Sequence, residues 1–465
     1  MDDSTRRRFI KTAALGTVAA GWLPDPIPRA IEGLARVRPS QADDVTVLNP
    51  AGRVPISLII DDSTCLVNLA YYGIPQFREV FPSQYPQPWR ELPREIPDSF
   101  VRTFGEWCHE HGVKGKYSIV PYPACVGWVD RFLPGWSEQE LRESLRLVRE
   151  LMLPDWDIHP EMISHTRVID IRTGRPFPEA SPAYMENWEW SQTKSADELA
   201  EYMAYALRIL KNVDLPCEGI TTPGGFGSRN QSNLALGTLE AVRDVYGAEI
   251  PHYFRDVIDE GEESVAPRIF HASGLDGPDP RCAVHIVGCT GDWFGGWDGL
   301  TPGSVDRFIT EDLQGGRLVE VIDRGEPAAM VCHWPGIYYN GEEIGFNIFK
   351  EVVRRVHARY DNLIWLKLSE IARYWAAREL TRIERVGGRV QFRAPFAAPR
   401  FTVRMPSDRP VVPHLSTGGT SQPLTEARSI LALTSGTWVR EADSVIVCFD
   451  LPKGNSYVEL HPMTS

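Results

Sequence analysis

Two adjacent carboxylates, Asp61 and Asp62, end the apolar run of "SLIIDDSTC" at residues 57–65. A strand that finishes in a pair of acids has either a loop to cap or a site to build. Further along, "WDIHPEMISHT" at residues 156–166 carries His159, Glu161 and His165. Alternate residues of a strand share a face, so an unbroken strand here would point these three side chains the same way, with Ile163 among them. Two imidazoles and a carboxylate on one face, set against an Asp pair, suit either of two chemistries. One is a divalent ion with three protein ligands and an open position for water. The other is proton transfer between positioned acids and bases.

Further polar residues follow other apolar runs. Asp292 closes "CTGD", His333 opens "HWPG", and "TTPGGFG" at residues 221–227 brings Phe226. Trp293 and Trp297 in "GDWFGGWDGL", with Trp334 and Phe226, are candidate faces for a sugar ring. The same aromatic loop could instead pack on itself as an Ω-loop.

These residues need strands to carry them, and the chain supplies a repeating strand–helix pattern. "PISLIIDDST" reads as the first strand. Asp98 is placed to cap a helix through "SFVRTFGEWCHEHG", closed by Gly112, and "KGKYSIVPYP" reads as the second strand. "SEQELRESLRLVRELM" opens with a capping box, Ser137 and Glu140, and carries Leu141, Leu145 and Val148 on one face. A second capping box, Ser195 and Glu198, begins the helix that leads into "CEGITTPGGFG". The alternation recurs some seven times and predicts an α/β fold, a parallel (β/α) barrel of about seven strands whose site lies at the C-terminal strand ends. No glycine-rich phosphate loop favours a nucleotide-binding open sheet. Beyond about residue 380 the helical stripe gives way to two-residue alternation, as in "GGRVQFRAPF" and "DSVIVCFDL". The expected division is therefore 1–30 signal, 31–50 linker, 51–380 barrel and 381–465 β-sandwich.

Composition sets outer bounds. The 465 residues are 43% hydrophobic and 24% charged, as in a globular protein. A formal net charge of −13 argues against nucleic acid as a partner. No run of about 20 apolar residues offers a membrane span. The eight cysteines form no CxxC pair, so their spacing names no disulfide. The N-terminal "STRRRFIKTAALGTVAAGW" resembles a twin-arginine export signal, which implies a periplasmic or extracellular protein.

"SLIIDDST", "GEWCHEHGVKGKYSIVP" and "PEMISHT", in that order, resemble successive motifs of the polysaccharide deacetylase family over roughly residues 54–380. "TTPGGFG" and "MVCHWPG" stand where that family has a Pro-containing loop and a late-strand histidine. The resemblance implies Asp61 as general base, Asp62 and His165 as metal ligands, and His333 as the acid that protonates the leaving group. The implied cofactor is a divalent metal, zinc foremost, and the implied partner is a carbohydrate. The family's third ligand, a His four residues after the second, is here Ile169, so His159 or Glu161 would stand in for it. A carboxylate-based glycosidase, with Asp61 or Asp62 opposite Asp292 or Glu161, remains a second expectation. A non-catalytic carbohydrate-binding barrel is a third.

Overall fold

Eight consecutive buried residues, Val54–Asp61, form strand β1, an apolar run suited to a strand covered on both faces. The computed structural model describes residues 38–463, so the arginine-rich N-terminal motif lies outside them. After β1 come helix α1 (Leu69–Val80), helix α2 (Asp98–Glu110) and strand β2 (Gly115–Ser118). Gly112 closes α2 in the left-handed conformation, as expected. Asp98 does not cap it: Pro97 holds the cap position, and Asp98 instead accepts a hydrogen bond from Ser144 Oγ at 2.7 Å. Helix α3 (Glu138–Leu147) has the expected capping box, and strand β3 (Trp156–His159) follows. Helix α4 (Ala196–Asn212), also boxed, leads to strand β4 (Gly219–Thr221). Then come helix α5 (Gln231–Tyr246) and strands β5 (His252–Val257), β6 (Arg268–Ser273) and β7 (Arg281–Gly288). Strand β8 (Ala328–His333), helix α6 (Ile344–Arg359), strand β9 (Leu363–Trp365) and helix α7 (Leu368–Leu380) complete this part.

The strands make two mainly parallel arrays. In the first, β1 lies between β8 and β2, β2 pairs with β3, and β9 joins the start of β1. In the second, β4, β5 and β7 run parallel, with β6 antiparallel at the edge. One isolated bridge, Glu161 to Thr221, links the end of β3 to β4. At the other seam Cys289 N donates to Ala329 O at 2.7 Å and Val331 N donates to Thr290 Oγ1 at 3.1 Å. The fold is mixed α/β, but among the described residues the ladder is not continuous, so the expected closed barrel does not form. The physical reason is local: after β3 the chain leaves the strand conformation at Pro160, and after β7 it enters a glycine-rich loop.

Residues beyond α7, together with Thr46–Val47, form two five-stranded sheets, antiparallel except where Thr425–Glu426 runs beside Thr437–Arg440. Their common core includes Phe392, Phe401 and Phe449, whose ring centroids lie 5.4–6.1 Å apart. Thr46–Val47, expected as linker, pairs with Ala398–Pro406 in one of these sheets. Tyr374 of α7 donates to Leu48 O at 2.6 Å and accepts from Thr402 N at 3.2 Å, tying that helix to the sandwich. All eight cysteines are free, and only Cys125 is not buried. No helix among the described residues is long and apolar enough to cross a membrane.

The first array tolerates no side chain at Gly115, where a Cβ would overlap the carbonyl oxygen of Leu58 on β1. Gly115→Ala should therefore destabilise the protein by at least about 3 kcal/mol, read as a lowered urea midpoint. An unchanged midpoint would mean that the β1–β2 spacing yields easily.

Candidate functional site

Register places the first two groups. In the parallel ladder of β1 and β8, Asp61 stands opposite His333, each the last residue of its strand. Ser63 Oγ donates to Ser118 O at 2.7 Å and Thr64 Oγ1 to Val120 O at 3.0 Å, so the loop after β1 is anchored to the end of β2. Between them Asp62 adopts a left-handed φ of 60°. Such strain persists at a non-glycine residue only where its surroundings hold it, and it concentrates at functional sites.

Asp61 meets a lysine. The Lys116 ammonium has no exposed surface and donates to Ile60 O at 2.8 Å, to Ser118 Oγ at 2.7 Å and to Asp61 Oδ1. Burial raises the Asp61 carboxyl, Lys116 opposes it, and Glu161 pushes the same way as burial; the outcome is about 6.

Three further side chains converge on one point. His165 Nε2 lies 2.8 Å from Asp62 Oδ1 and 3.3 Å from Glu161 Oε1, while Glu161 Oε2 accepts from Asp62 N at 2.8 Å. All three are buried, and their potential ligand atoms lie within 4.8 Å of one another. Burial opposes charge on His165, yet the two carboxylates hold its pKa well above the usual imidazole value. Burial likewise opposes ionisation of Glu161, but the His165 charge brings it down to about 2. The trio is thus an electronegative pocket that retains a cationic group.

Of the candidates for third ligand, the structure brings Glu161 to this trio and not His159. The strand ends at His159, and Met162 and His165 take left-handed φ values of 51° and 64°, so the two-residue alternation is lost. His159 turns instead to His252, Nε2 to Nε2, at 2.9 Å. Ile169, at the family's ligand position, is core.

His333 and Asp292 form a pair, with His333 Nδ1 2.8 Å from Asp292 Oδ2, and His333 N donates to the same oxygen at 3.2 Å. Burial works against a charged imidazole, but the Asp292 hydrogen bond and the charges of Asp62 and Asp61 push it up to about 10.

The expected sugar contacts divide. Trp334 and Phe226 have no exposed surface: Trp334 is packed among Phe100, Phe104 and Tyr117, and Phe226 beside Trp190 and Tyr202. No substrate ring can reach either one. Trp293 is 8% exposed, with the Arg307 guanidinium over its ring at 4.1 Å and Phe308 against it. Trp297 is half-buried and belongs to an aromatic wall that the sequence did not reveal. Phe77 links His165 (6.3 Å between centroids), Trp297 (6.1 Å) and Trp188 (5.5 Å), and Tyr85 adjoins both tryptophans.

Glu186 was equally invisible. Its buried carboxylate accepts from Ile163 N and Ser164 N at 3.2 Å, from His165 N at 2.6 Å and from the Tyr202 hydroxyl at 2.5 Å. Three consecutive amides clamped by one acceptor fix the turn that aims His165. Burial raises Glu186 to about 7 despite these bonds. The only advance signal was an acid in an otherwise aromatic stretch, "MENWEW".

No family model matches the chain, and no curated protein matches it. Among solved structures, a probable polysaccharide deacetylase from Pseudomonas aeruginosa PAO1 aligns over 51% of this chain at 13% identity and a TM-score of 0.28. The chain spans 64% of that protein's length. An α-fucosidase from Thermotoga maritima aligns over 92% of this chain and 98% of its own, at 11% identity and a TM-score of 0.25. The catalytic domain of GH30 xylanase C from Talaromyces cellulolyticus aligns over 90% and 100%, at 7% and 0.25. Scores this low establish no shared fold, and the reading of the site rests on its own residues.

Glu186→Gln keeps the side chain's size but turns one acceptor into a donor facing backbone amides. It should weaken zinc binding by about 10- to 100-fold, measured by competition with a chromophoric chelator. Zinc affinity equal to wild type would show that the turn holds itself.

Proposed function

We propose that the protein is a hydrolase that removes acyl groups from a carbohydrate, using Asp61 as base and His333 as acid beside a divalent ion. The observation that carries this reading is the register of β1 and β8. It sets a carboxylate held near neutrality beside an imidazole held protonated, at the edge of the Asp62–Glu161–His165 trio. The motif order over residues 54–380 supports the same class, with an appended β-sandwich at 381–465 as the proposed organisation.

The trio fits a cation. Asp62 Oδ1 is buried, lies 2.8 Å from an imidazole nitrogen, and completes no well-aligned hydrogen bond. Two carboxylates and one imidazole form a donor set suited to zinc and other first-row ions. When bound, such an ion supplies Lewis acidity toward an acyl carbonyl.

The remaining chemistry belongs to the chain. Asp61 accepts a proton from the attacking water, and Lys116, already paired with it, keeps the carboxylate oriented. Asp292 holds the Nδ1 proton of His333, leaving Nε2–H to protonate the departing sugar oxygen or nitrogen. Trp297, Tyr85 and Trp188 offer ring faces and edges to the carbohydrate.

The glycosidase alternative needs a free carboxylic acid opposite Asp61. Asp292 is paired with His333, and Glu161 with His165 and Asp62 N, which favours the acyl-hydrolase reading. Export by the twin-arginine route is proposed from Arg6 and Arg7 in the sequence alone.

Acetate release from acetylated glycans tests the proposal. Asp62→Ala and His165→Ala should each lower kcat/KM by at least about 10²-fold while the circular dichroism spectrum stays unchanged. New reducing ends from unmodified glycans, with no acetate released, would instead establish a glycosidase.

The pH profile follows from the two shifts. The base must be ionised, so activity appears as pH rises through about 6; the acid must be protonated, so activity fails near about 10. Asp292→Asn removes the charge that sustains His333, so the alkaline limb should move to lower pH with the acidic limb in place. An unmoved alkaline limb would remove His333 from the acid role.

A further inference from the structure

We propose that Asp157, His159 and His252 form a second cation site, for a divalent first-row transition ion such as zinc, buried where β3 meets β4 and β5. None of these residues belongs to the Asp62–Glu161–His165 trio, and the inference stands whether or not the acyl-hydrolase reading does.

Placement comes from the backbone. Asp157 and His159 are alternate residues of β3 and share a face. His252 is the first residue of β5, in register with Gly219 on the intervening β4. A Cβ at position 219 would stand 2.6 Å from the Nε2 atoms of both His159 and His252. Glycine there is what lets the two rings meet. His159 Nε2 lies 2.9 Å from His252 Nε2, and His252 Nε2 lies 3.8 Å from Asp157 Oδ2. Ligands at 2.0–2.2 Å from a tetrahedral ion stand about 3.3–3.6 Å apart, between those two values.

The tautomer with both Nε2 lone pairs facing each other is the one that suits an ion. His159 Nδ1 lies 3.3 Å from Thr221 Oγ1, and the carbonyl of Ile220 also draws a proton to this ring. A neutral imidazole has one N–H, so with the proton on Nδ1 its Nε2 offers only a lone pair. If His252 donated Nε2–H to that lone pair, its own Nδ1 would be a bare acceptor, and Nδ1 is buried without a partner. An ion between the two Nε2 atoms would take both lone pairs, with each ring's proton on Nδ1. A neutral imidazole is the form that binds metals.

The carboxylate is held as a ligand's would be. Ser369 N donates to Asp157 Oδ2 at 2.6 Å and Ser369 Oγ to Oδ1 at 2.8 Å, which leaves lone pairs on both oxygens. Lys367 Nζ stands 4.0 Å off, and the nearby Lys116 is already neutralised by Asp61. An ion here would tie the two strand arrays together at the seam where Glu161 and Thr221 form an isolated bridge.

The test uses the full-length His165→Ala protein, folded with zinc and freed of excess by gel filtration. Its metal content is measured by plasma mass spectrometry and its zinc coordination by X-ray absorption. About one equivalent with two imidazole ligands is expected, because that variant has no imidazole left in the outer trio. Wild type should then hold about two equivalents. No zinc in His165→Ala beside one equivalent in wild type would overturn the inner site and leave the outer one standing. One equivalent with two imidazoles in both proteins would support the inner site and dismiss the outer ligand set. His252→Gln should in turn lose the inner ion; a His252→Gln protein that keeps the wild-type zinc content would overturn the proposal.

Discussion

A lysine with no contact to water anchors the functional end of this fold. Lys116 gives its three donors to a backbone carbonyl, a serine hydroxyl and Asp61, so every proton of the buried ammonium is used. Breaking such a pair by removing one partner typically costs about 3–5 kcal/mol, because the other charge is stranded. The end of β1 can therefore carry an acid in the interior only because β2 delivers a base from the adjacent strand. The glycine before that base, Gly115, lets the two strands close enough for the pairing.

Around this pair the other charges sort into separate duties. Glu161 and Asp62 share His165, Asp292 has His333 to itself, and Glu186 is spent on backbone amides. The carboxylates differ in their positively charged and N–H partners, so groups crowded into a small volume keep distinct proton affinities. That separation lets Asp61 sit near neutrality while Glu161 stays ionised well into acid.

The sequence disclosed what lies at strand ends. Asp61, Asp62 and His333 follow apolar runs whose character is local, and the capping boxes at Ser137 and Ser195 are local too. Failures came where distant chain decides. His159 was grouped with His165 by a two-residue alternation that Pro160 and two left-handed residues interrupt. Glu161 over His159 could not be chosen without the turn that Glu186 holds, and Glu186 reaches it from 21 residues away. Trp334 and Phe226 stand next to polar strand-end residues in the sequence, yet neighbouring aromatic side chains bury both. Tyr85 and Trp188 carried no pattern at all; only the folded chain brings them to Trp297.

The short strand at Thr46–Val47 has a consequence for how the chain is made. It lies before β1 but completes a sheet whose partner strand, Ala398–Pro406, emerges from the ribosome some 350 residues later. Chains fold largely as they appear, N-terminal parts first, and this strand has no sheet to join until nearly the whole polypeptide exists. Its pairing therefore waits on the C-terminal sheets. Until then an unpaired strand edge stays exposed to other chains. A ribosome that stalls anywhere before residue 398 leaves that edge open, which makes completion of the C-terminal sheets a checkpoint on the whole molecule.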